Sequence, residues 1–445
     1  RNAYDTNYLN LAPRISLAYS PTSRLVFRSG FGIFYVPSTP LLGPPVGPGY
    51  SPTTPYVASI DGYTPITTIS NPFPNGFVQP TGNSLGGLTD VGQGVTTIAR
   101  HRPSPYVTEW AASIQYQVLR STYLEADYVG NHGVKLNGGN FQIDQLNPSY
   151  LSMGNALLAQ VNNPFYGHVS IGPLSNPTVS RATLLEPYPQ FAGNVSLYDS
   201  PWAQSWYEAL KLSAKHRYSN GMQFLVSYTW SKYLDTSNGD QSWASRAQSP
   251  RNWYDTSLDK SLDEGDVPNS LVVSYTYQLP VGKGKKVQPP KYINALVGGW
   301  QVSGISTFKS GFPLEIASDA PGTTLFGGSP RATFVGDPRP THQSIHEWLN
   351  PAAFAFPAPF TFGNTPRTLG SVRAPGTDTT DFVLMKNFSH LWNEASRLQF
   401  RAEFYNLFNQ PNFYAPDSTV GSPGFGAITT AFPARSIQFA LKLYW

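Results

Sequence analysis

Residues 436–445, Ser-Ile-Gln-Phe-Ala-Leu-Lys-Leu-Tyr-Trp, alternate between two kinds of side chain. One parity holds the large apolar residues Ile437, Phe439, Leu441, Leu443 and Trp445. The other parity holds Ser436, Gln438, Ala440, Lys442 and Tyr444. Because successive side chains of a β-strand point to opposite sides, this segment predicts a strand with one apolar and one polar face.

The same alternation predicts ten further strands, so eleven are expected in all. In residues 397–408 the apolar parity is Leu398, Phe400, Ala402, Phe404 and Phe408. Residues 222–232 and 271–279 follow the same rule, with Leu225 as one exception. The remaining strands are predicted at about 14–20, 24–35, 106–118, 121–131, 205–216, 299–309 and 380–388.

The composition supports an all-β chain with long connections. Of 445 residues only 13% are charged while 14% are aromatic, and Gly 39 with Pro 41 make up about 18%. Glu, Lys, Ala and Leu are too scarce for a helical bundle, and no apolar run suffices for a transmembrane helix. The net charge of +4 is too small to predict nucleic-acid binding, and the absence of cysteine excludes disulfides and thiolate metal sites.

Strand length and aromatic placement together indicate a membrane barrel. Eleven residues at about 45° tilt rise about 26 Å, close to the apolar band of an outer-membrane barrel. Aromatic residues on the apolar parity are typical of interface girdles: Tyr19, Tyr35, Tyr128, Trp230, Trp300 and Trp445.

The predicted connections point the same way, because short and long ones alternate along the chain. The short connections are 21–23, 119–120, 217–221, 280–298 and 389–396. The long connections are 36–105, 132–204, 234–268, 310–379 and 409–434. Short periplasmic turns and long extracellular loops have this parity in bacterial outer-membrane barrels.

The odd number of strands bears on domain organisation. Bacterial barrels have an even number of strands, and an open sheet would expose unpaired backbone to lipid. We therefore expect residues 1–445 to be a single β-barrel domain that forms the C-terminal part of a larger barrel, with a missed strand as the alternative.

Several segments then carry a family resemblance. They are 10–21 (NLAPRISLAYSP), 123–133 (YLEADYVGNHG), 224–232 (FLVSYTWSK), 298–304 (GGWQVSG), 310–313 (SGFP), 350–354 (NPAAF) and 398–409 (LQFRAEFYNLFN). In this order, and followed by the aromatic last strand, they resemble the C-terminal barrel half of TonB-dependent receptors. The resemblance is to the Oar-like type, which carries an N-terminal carboxypeptidase-regulatory-like domain.

The resemblance implies a transmembrane antiparallel barrel of about 22 or more strands in the bacterial outer membrane, of which this chain supplies about 11 to 12. It implies a plug and TonB contact in an N-terminal part that this sequence does not contain. It also implies recognition of the last strand by the barrel-assembly machinery, with Trp445 where the family usually ends in Phe. The residues of that signal are Phe439, Leu441, Leu443 and Trp445.

No enzyme motif, cofactor site or metal site is predicted. His342 and His346 are four residues apart, and we expect a helix in a loop there rather than a zinc site. Residues 282–291 carry several lysines in the longest short-side turn, either as a solvated turn or as a contact with anionic lipid or a periplasmic partner. The acidic connection 234–268 is expected mainly to pack between loops. Ligand or Ca²⁺ contact there is the alternative, with the candidate residues Trp243, Arg246, Arg251, Trp253 and Tyr254.

Three charged residues of the penultimate strand are predicted to face the lumen: Arg397, Arg401 and Glu403. They either form a charge ladder that holds neighbouring strands or a plug, or they line a substrate path. The leading hypothesis is an outer-membrane receptor that imports a bulky solute, with lipid, TonB and the assembly machinery as partners. A passive porin-like channel and a structural or adhesion protein remain alternatives, because fold alone does not select a function.

Overall fold

The computed structural model describes residues 5–36, 49–52, 54, 56, 58–59, 62–169, 172–192, 194–198, 200–237, 249–282, 284–318, 324–389 and 396–445. Within these ranges eleven long strands follow one another along the chain. They are β1 Arg14–Thr22, β2 Leu25–Tyr35, β3 Tyr106–Leu119, β4 Thr122–Leu136, β5 Ala203–Ser219, β6 Met222–Asp235, β7 Asn269–Gln278, β8 Trp300–Lys309, β9 Thr377–Ser389, β10 Arg397–Tyr405 and β11 Ser436–Tyr444. All eleven predicted strands are confirmed.

The long strands form one antiparallel sheet in the order in which they occur in the sequence. Each strand pairs with its neighbours along the chain, and the two-residue strand Ser261–Leu262 also pairs with β6. Among the described residues, β1 and β11 each have a partner on one side only, so the sheet is open at these two edges. This is the meander that the outer-membrane barrel type requires.

The register between the last two strands places apolar residues opposite apolar residues. Leu398, Phe400 and Phe404 of β10 lie opposite Leu443, Leu441 and Ile437 of β11. Their sequence neighbours Gln399 and Glu403 lie opposite Lys442 and Gln438. We call the two sides of the sheet the apolar face and the polar face, and a one-residue slip between strands would mix them.

The alternating connection lengths are confirmed as well. Between successive long strands the connections are 23–24, 120–121, 220–221, 279–299 and 390–396 at one end of the sheet, the short-turn end. At the opposite, long-loop end they are 36–105, 137–202, 236–268, 310–376 and 406–435. Every connection of the long-loop end is longer than any connection of the short-turn end.

Two details of the predicted strands are corrected. Alternation suggests that β10 continues to Phe408, but the strand ends at Tyr405 because Asn406 adopts a positive φ of 53°. The Asn406 side chain then accepts from the backbone N–H of Gln410 at 2.9 Å and closes a turn. Among the predicted girdle residues, Tyr128 and Trp230 lie inside β4 and β6 rather than at a strand end.

Short elements occupy the connections. Two α-helices are described, α1 Arg181–Leu185 and α2 Lys291–Val297. Short 3₁₀ segments are Gly86–Leu88, Pro148–Leu158, Pro173–Ser175, Pro189–Phe191, Thr256–Asp259 and Pro351–Ala353. Further short strands are Val95–Thr97, Phe141–Gln142, Gln160–Asn162, Thr178–Ser180, Val195–Leu197, Pro313–Glu315, Ala317–Ser318, Thr333–Phe334, Phe354–Ala355, Thr368–Arg373 and Thr419–Val420. No helix within the described ranges is long and apolar enough to cross a membrane.

Candidate functional site

The long loops fold into a packed structure of their own at the long-loop end. We call the described parts of 137–202, 236–268, 310–376 and 406–435 the cap. One core joins 310–376 to 406–435, and its buried residues are Leu314, Ile316, Ala332, Leu349, Ala353, Phe354, Leu369, Val372 and Val420. A second core joins 137–202 to 310–376 through Leu146, Leu151, Leu157, Ala182 and Leu325. The cap therefore has the apolar interior of a small folded unit.

Three enclosed ion pairs fasten loop 310–376 to the chain around β6. Arg331 donates to Asp259 at 3.0 Å, and Arg373 donates to Asp266 at 2.6 Å. Arg367 forms the third pair with Asp235, the last residue of β6. Burial lowers the pKa of Arg367 to about 10, which leaves the guanidinium charged at neutral pH. Breaking such a pair by removing one partner leaves a charge buried without compensation.

Three of the five predicted ligand-contact residues are described, and they pack within the cap. Trp243 and Arg246 lie outside the described residues. The backbone N–H of Arg251 donates to Asp259 at 2.9 Å, and its guanidinium donates to the carbonyl of Leu258. Arg251 therefore makes its described contacts within the cap.

The two aromatic candidates of the same loop differ in exposure. The Trp253 ring meets Phe141 and Trp202 edge to face, with centroids 5.0 and 5.7 Å away. Tyr254 is half exposed, and its hydroxyl donates to the carbonyl of Gln145 at 3.2 Å. Tyr254 is thus the described candidate of this loop whose ring is open to solvent.

A cleft of 660 Å³ opens beside the cap, where the last residue of β8 and the first of β9 meet the loops. Phe432 and Tyr414 stack in its wall with ring centroids 4.1 Å apart, and both residues are more than two-fifths exposed. Glu264 and Glu315 also line the cleft. Aromatic rings and carboxylates around one concavity are suited to bind a small organic ligand.

The cleft was not predicted from the sequence because its residues come from separate connections. The one local signal was the run Pro411-Asn-Phe-Tyr-Ala-Pro416, in which two aromatic residues stand between prolines in a loop. Such a run predicts an ordered loop with exposed rings but not the partner that faces them.

The three predicted lumen-facing charges lie on the polar face. Arg401 pairs with Glu403 on the same strand at 2.6 Å, and Tyr405 donates to the other oxygen of Glu403 at 3.0 Å. Arg401 also donates to the sulfur of Met385 on the neighbouring strand at 3.6 Å. Arg397 lies over the ring of Tyr444, 4.2 Å from its centroid. The structure brings Arg401 and Glu403 together and leaves Arg397 near the edge of the sheet.

Two buried acids of the cap were not singled out from the sequence. Asp144 and Glu186 are enclosed in loop 137–202, and one carboxylate oxygen of each has no hydrogen-bond partner. Burial raises the pKa of Glu186 to about 8 and that of Asp144 to about 6, with the Asp144 charge contributing to the shift at Glu186. Isolated acids in a polar loop give no sequence signal of burial.

The segment that holds His342 and His346 is a turn, so the predicted helix is wrong. Ser344 and Glu347 exchange backbone hydrogen bonds of 3.1 and 3.2 Å, and the Ser344 hydroxyl also accepts from the N–H of Glu347. The N–H of Ile428 donates to the carbonyl of Ile345 at 2.7 Å and fixes this turn to loop 406–435. Among the residues that the structure describes, no three His, Asp or Glu side chains are grouped to hold a metal ion.

Comparison with known proteins gives a family match over nearly the whole chain. The family model described as Outer membrane beta barrel domain matches residues 1–438. No curated protein sequence matches the chain.

Solved structures to which this chain is similar at low sequence identity include an outer membrane transporter, a ferric preacinetobactin receptor and an iron transporter. The outer membrane transporter YddB from Escherichia coli is 9% identical with a TM-score of 0.43, covering 98% of this chain and 40% of that one. BauA, the ferric preacinetobactin receptor from Acinetobacter baumannii, is 9% identical with a TM-score of 0.40, covering 97% and 36%. The FrpB iron transporter from Neisseria meningitidis is 10% identical with a TM-score of 0.38, covering 97% and 39%. This chain spans less than half the length of each.

Proposed function

The chain belongs to the family of outer membrane β-barrel domains, and from this premise we propose that it is the C-terminal barrel part of a TonB-dependent receptor of the Oar-like type. In this proposal the protein imports a bulky solute across the outer membrane, where the family resides. The resemblance of segments such as 224–232 and 398–409 to that receptor type supports the proposal.

The observation that carries the proposal is the cleft at the junction of strands and cap. Its rings and carboxylates stand at the long-loop end, which faces the cell exterior in outer-membrane barrels. A concave site that is already formed at the mouth of a barrel can hold a solute before it passes inward. Tyr414 and Phe432 would supply the aromatic surface, and Glu264 and Glu315 would supply acceptors or negative charge.

Transport in this proposal needs a part of the protein that this sequence does not include. A plug domain would close the complete barrel, and contact with TonB would move it with energy from the proton-motive force. The polar face, including Arg401 and Glu403, would then contact the plug or line the path of the solute. The last strand, with Phe439, Leu441, Leu443 and Trp445, would be read by the barrel-assembly machinery.

Conductance in planar lipid bilayers tests the proposal. The full-length protein, purified from its outer membrane, is expected to be silent because a plug fills the barrel. Addition of urea should unfold the plug and open a conductance that disappears on dilution. A steady conductance without urea would overturn the proposal and would establish the alternative, a passive porin-like channel.

A further inference from the structure

The turn between β7 and β8, residues 279–299, differs from the other connections of the short-turn end because it carries a helix in the described part of the chain. The C-terminal end of this helix, α2, is held by two side chains of the sheet. The indole N–H of Trp300 donates to the carbonyl of Leu296 at 2.9 Å. The ammonium group of Lys386 donates to the same carbonyl at 2.7 Å and to the carbonyl of Gly298 at 2.9 Å.

Both of these side chains stand on the apolar face. Trp300 lies opposite Lys386 in the β8–β9 register, and Lys386 lies opposite Phe400 in the β9–β10 register. The Lys386 ammonium also lies 4.9 and 5.1 Å from the ring centroids of Trp300 and Phe388. Since the apolar face of an outer-membrane barrel faces lipid, the end of α2 lies on the lipid side of the turn.

The chain returns from α2 to the sheet through Gly298 and Gly299. Gly299 has a φ of +75°, and a Cβ there would meet the carbonyl oxygen of Asn387 at 2.6 Å. A residue other than glycine would therefore push the helix away from β9.

The outer side of α2 is apolar and open. Tyr292 is 86% exposed and Leu296 is 74% exposed, and they stand one helical turn apart. Ile293 and Val297 are also exposed and lie beside them on the same side of the helix. This apolar surface is continuous with the lipid-facing surface through Trp300, which bonds to Leu296.

The same turn is strongly basic. Residues 279–299 contain four lysines and no acidic residue. Lys285 donates to the side chain of Gln278 at 2.9 Å, whereas Lys286 and Lys291 are exposed. At an anionic lipid interface an apolar helical surface enters the acyl region, and neighbouring lysines are attracted to the headgroups.

We propose that residues 284–297 of this turn lie in the periplasmic leaflet and bind the headgroups of anionic phospholipids there. In this arrangement Tyr292 and Leu296 enter the upper acyl region, and Lys286 and Lys291 contact the phosphate groups. Lys386 and Trp300 hold the helix at that depth. The inference concerns the membrane contact of the barrel and does not depend on which solute the protein carries.

Spin labelling tests the depth, because residues 1–445 contain no cysteine, and any cysteine outside them is first replaced with serine. The full-length protein is reconstituted in phosphatidylcholine–phosphatidylglycerol bilayers with a nitroxide at Tyr292→Cys, Leu296→Cys or the exposed control Gln288→Cys. Labels at 292 and 296 should collide more with dissolved oxygen than with a water-soluble nickel complex, and the label at 288 should do the reverse. Aqueous collision behaviour at both 292 and 296 would overturn the proposal.

Lipid retention tests the headgroup preference. The protein is extracted from the same bilayers, and the bound phosphatidylglycerol is measured relative to phosphatidylcholine by mass spectrometry. The variant K286Q/K291Q should lose this preference by about fivefold for each lysine, the equivalent of about 1 kcal/mol per lysine near a charged leaflet.

The matched control is R24Q/R120Q, which removes two exposed cations from other turns at the same end. The control should retain the preference of the unmodified protein. An equal loss in both variants, or no loss in K286Q/K291Q, would overturn the assignment of the headgroup site to this turn.

Discussion

Arg331 and Asp259 form an ion pair at 3.0 Å with both side chains almost fully enclosed, although 72 residues separate them in the sequence. Two further pairs of the same kind join Arg367 to Asp235 and Arg373 to Asp266. In each of these pairs the arginine comes from loop 310–376. The aspartate is either the last residue of β6 or a residue of the following loop 236–268. The Arg367–Asp235 pair attaches the cap to the end of β6, and the other two pairs and the two apolar cores hold the loops of the cap to one another.

Replacing Arg331 with methionine should loosen the cap without unfolding the sheet. The change leaves the Asp259 carboxylate buried without its charge partner, which costs about 3–5 kcal/mol. Limited proteolysis of the protein in detergent should therefore cleave loop 310–376 much faster, while the unheated protein keeps its compact migration on SDS gels. Arg339 is an exposed arginine of the same loop, and R339M should leave proteolysis unchanged. Equal protection of R331M and the unmodified cap would contradict the prediction.

The stability of the cap should fall as the pH rises through the neutral range. Burial raises the pKa of Glu186 from 4.5 to about 8, and that of Asp144 from 3.8 to about 6. Between the unfolded and folded pKa values the folded cap binds more protons, so the contribution of these two acids to its stability is complete below about pH 4 and is lost progressively up to about pH 8. Amide hydrogen exchange of residues 141–190, corrected for the intrinsic pH effect, should show weaker protection at the alkaline end.

The variant Glu186→Gln provides the control for this pH dependence. A neutral amide has the shape of the protonated acid but does not titrate, so most of the pH dependence should disappear. Protection at the alkaline end should then exceed that of the unmodified protein. A pH profile that Glu186→Gln leaves unchanged would show that another group is responsible.

The strands could be predicted because the membrane imposes one rule on all of them. Every residue of a spanning strand faces either lipid or the barrel interior, so the chemistry of Phe439 and Gln438 indicates their sides. The rule does not locate strand ends. Because Phe408 has the parity of the apolar residues, the strand was predicted to continue to Phe408, whereas it ends before Asn406. There the local hydrogen bonds of an asparagine in a left-handed conformation outweigh the alternation.

The cap could not be predicted because its contacts join residues far apart in the sequence. The Arg367–Asp235 pair spans 132 residues, and the cleft draws its lining from separate connections. His342 and His346 illustrate the same limit on a smaller scale, since the hydroxyl of Ser344 and a bond to loop 406–435 outweigh the helical spacing there. Sequence reasoning identified the loop with Arg251, Trp253 and Tyr254 as a candidate but not the partners that enclose it.

Single cysteines in β11 should react in a period of two. A membrane-impermeant charged maleimide should label Gln438→Cys and Lys442→Cys of the reconstituted full-length protein, because both positions lie on the polar face. It should not label Phe439→Cys or Leu441→Cys, which face the acyl chains. Residues 1–445 contain no cysteine, and the unmodified full-length protein serves as the blank for any labelling outside them. Labelling that does not alternate would contradict the assignment of the two faces.

An arginine in the last strand should impair barrel assembly at position 439 but not at the adjacent position 438. Phe439 lies on the apolar face near the middle of β11, where an arginine facing lipid costs about 2–4 kcal/mol. Gln438 lies opposite Glu403, so an arginine there faces a carboxylate on the polar face. F439R should therefore lower the fraction of outer-membrane protein that migrates as the compact, unheated form, and Q438R should not. Because both variants add the same side chain to adjacent residues, a similar loss in the two would mean that the added charge itself, rather than its exposure to lipid, impairs assembly.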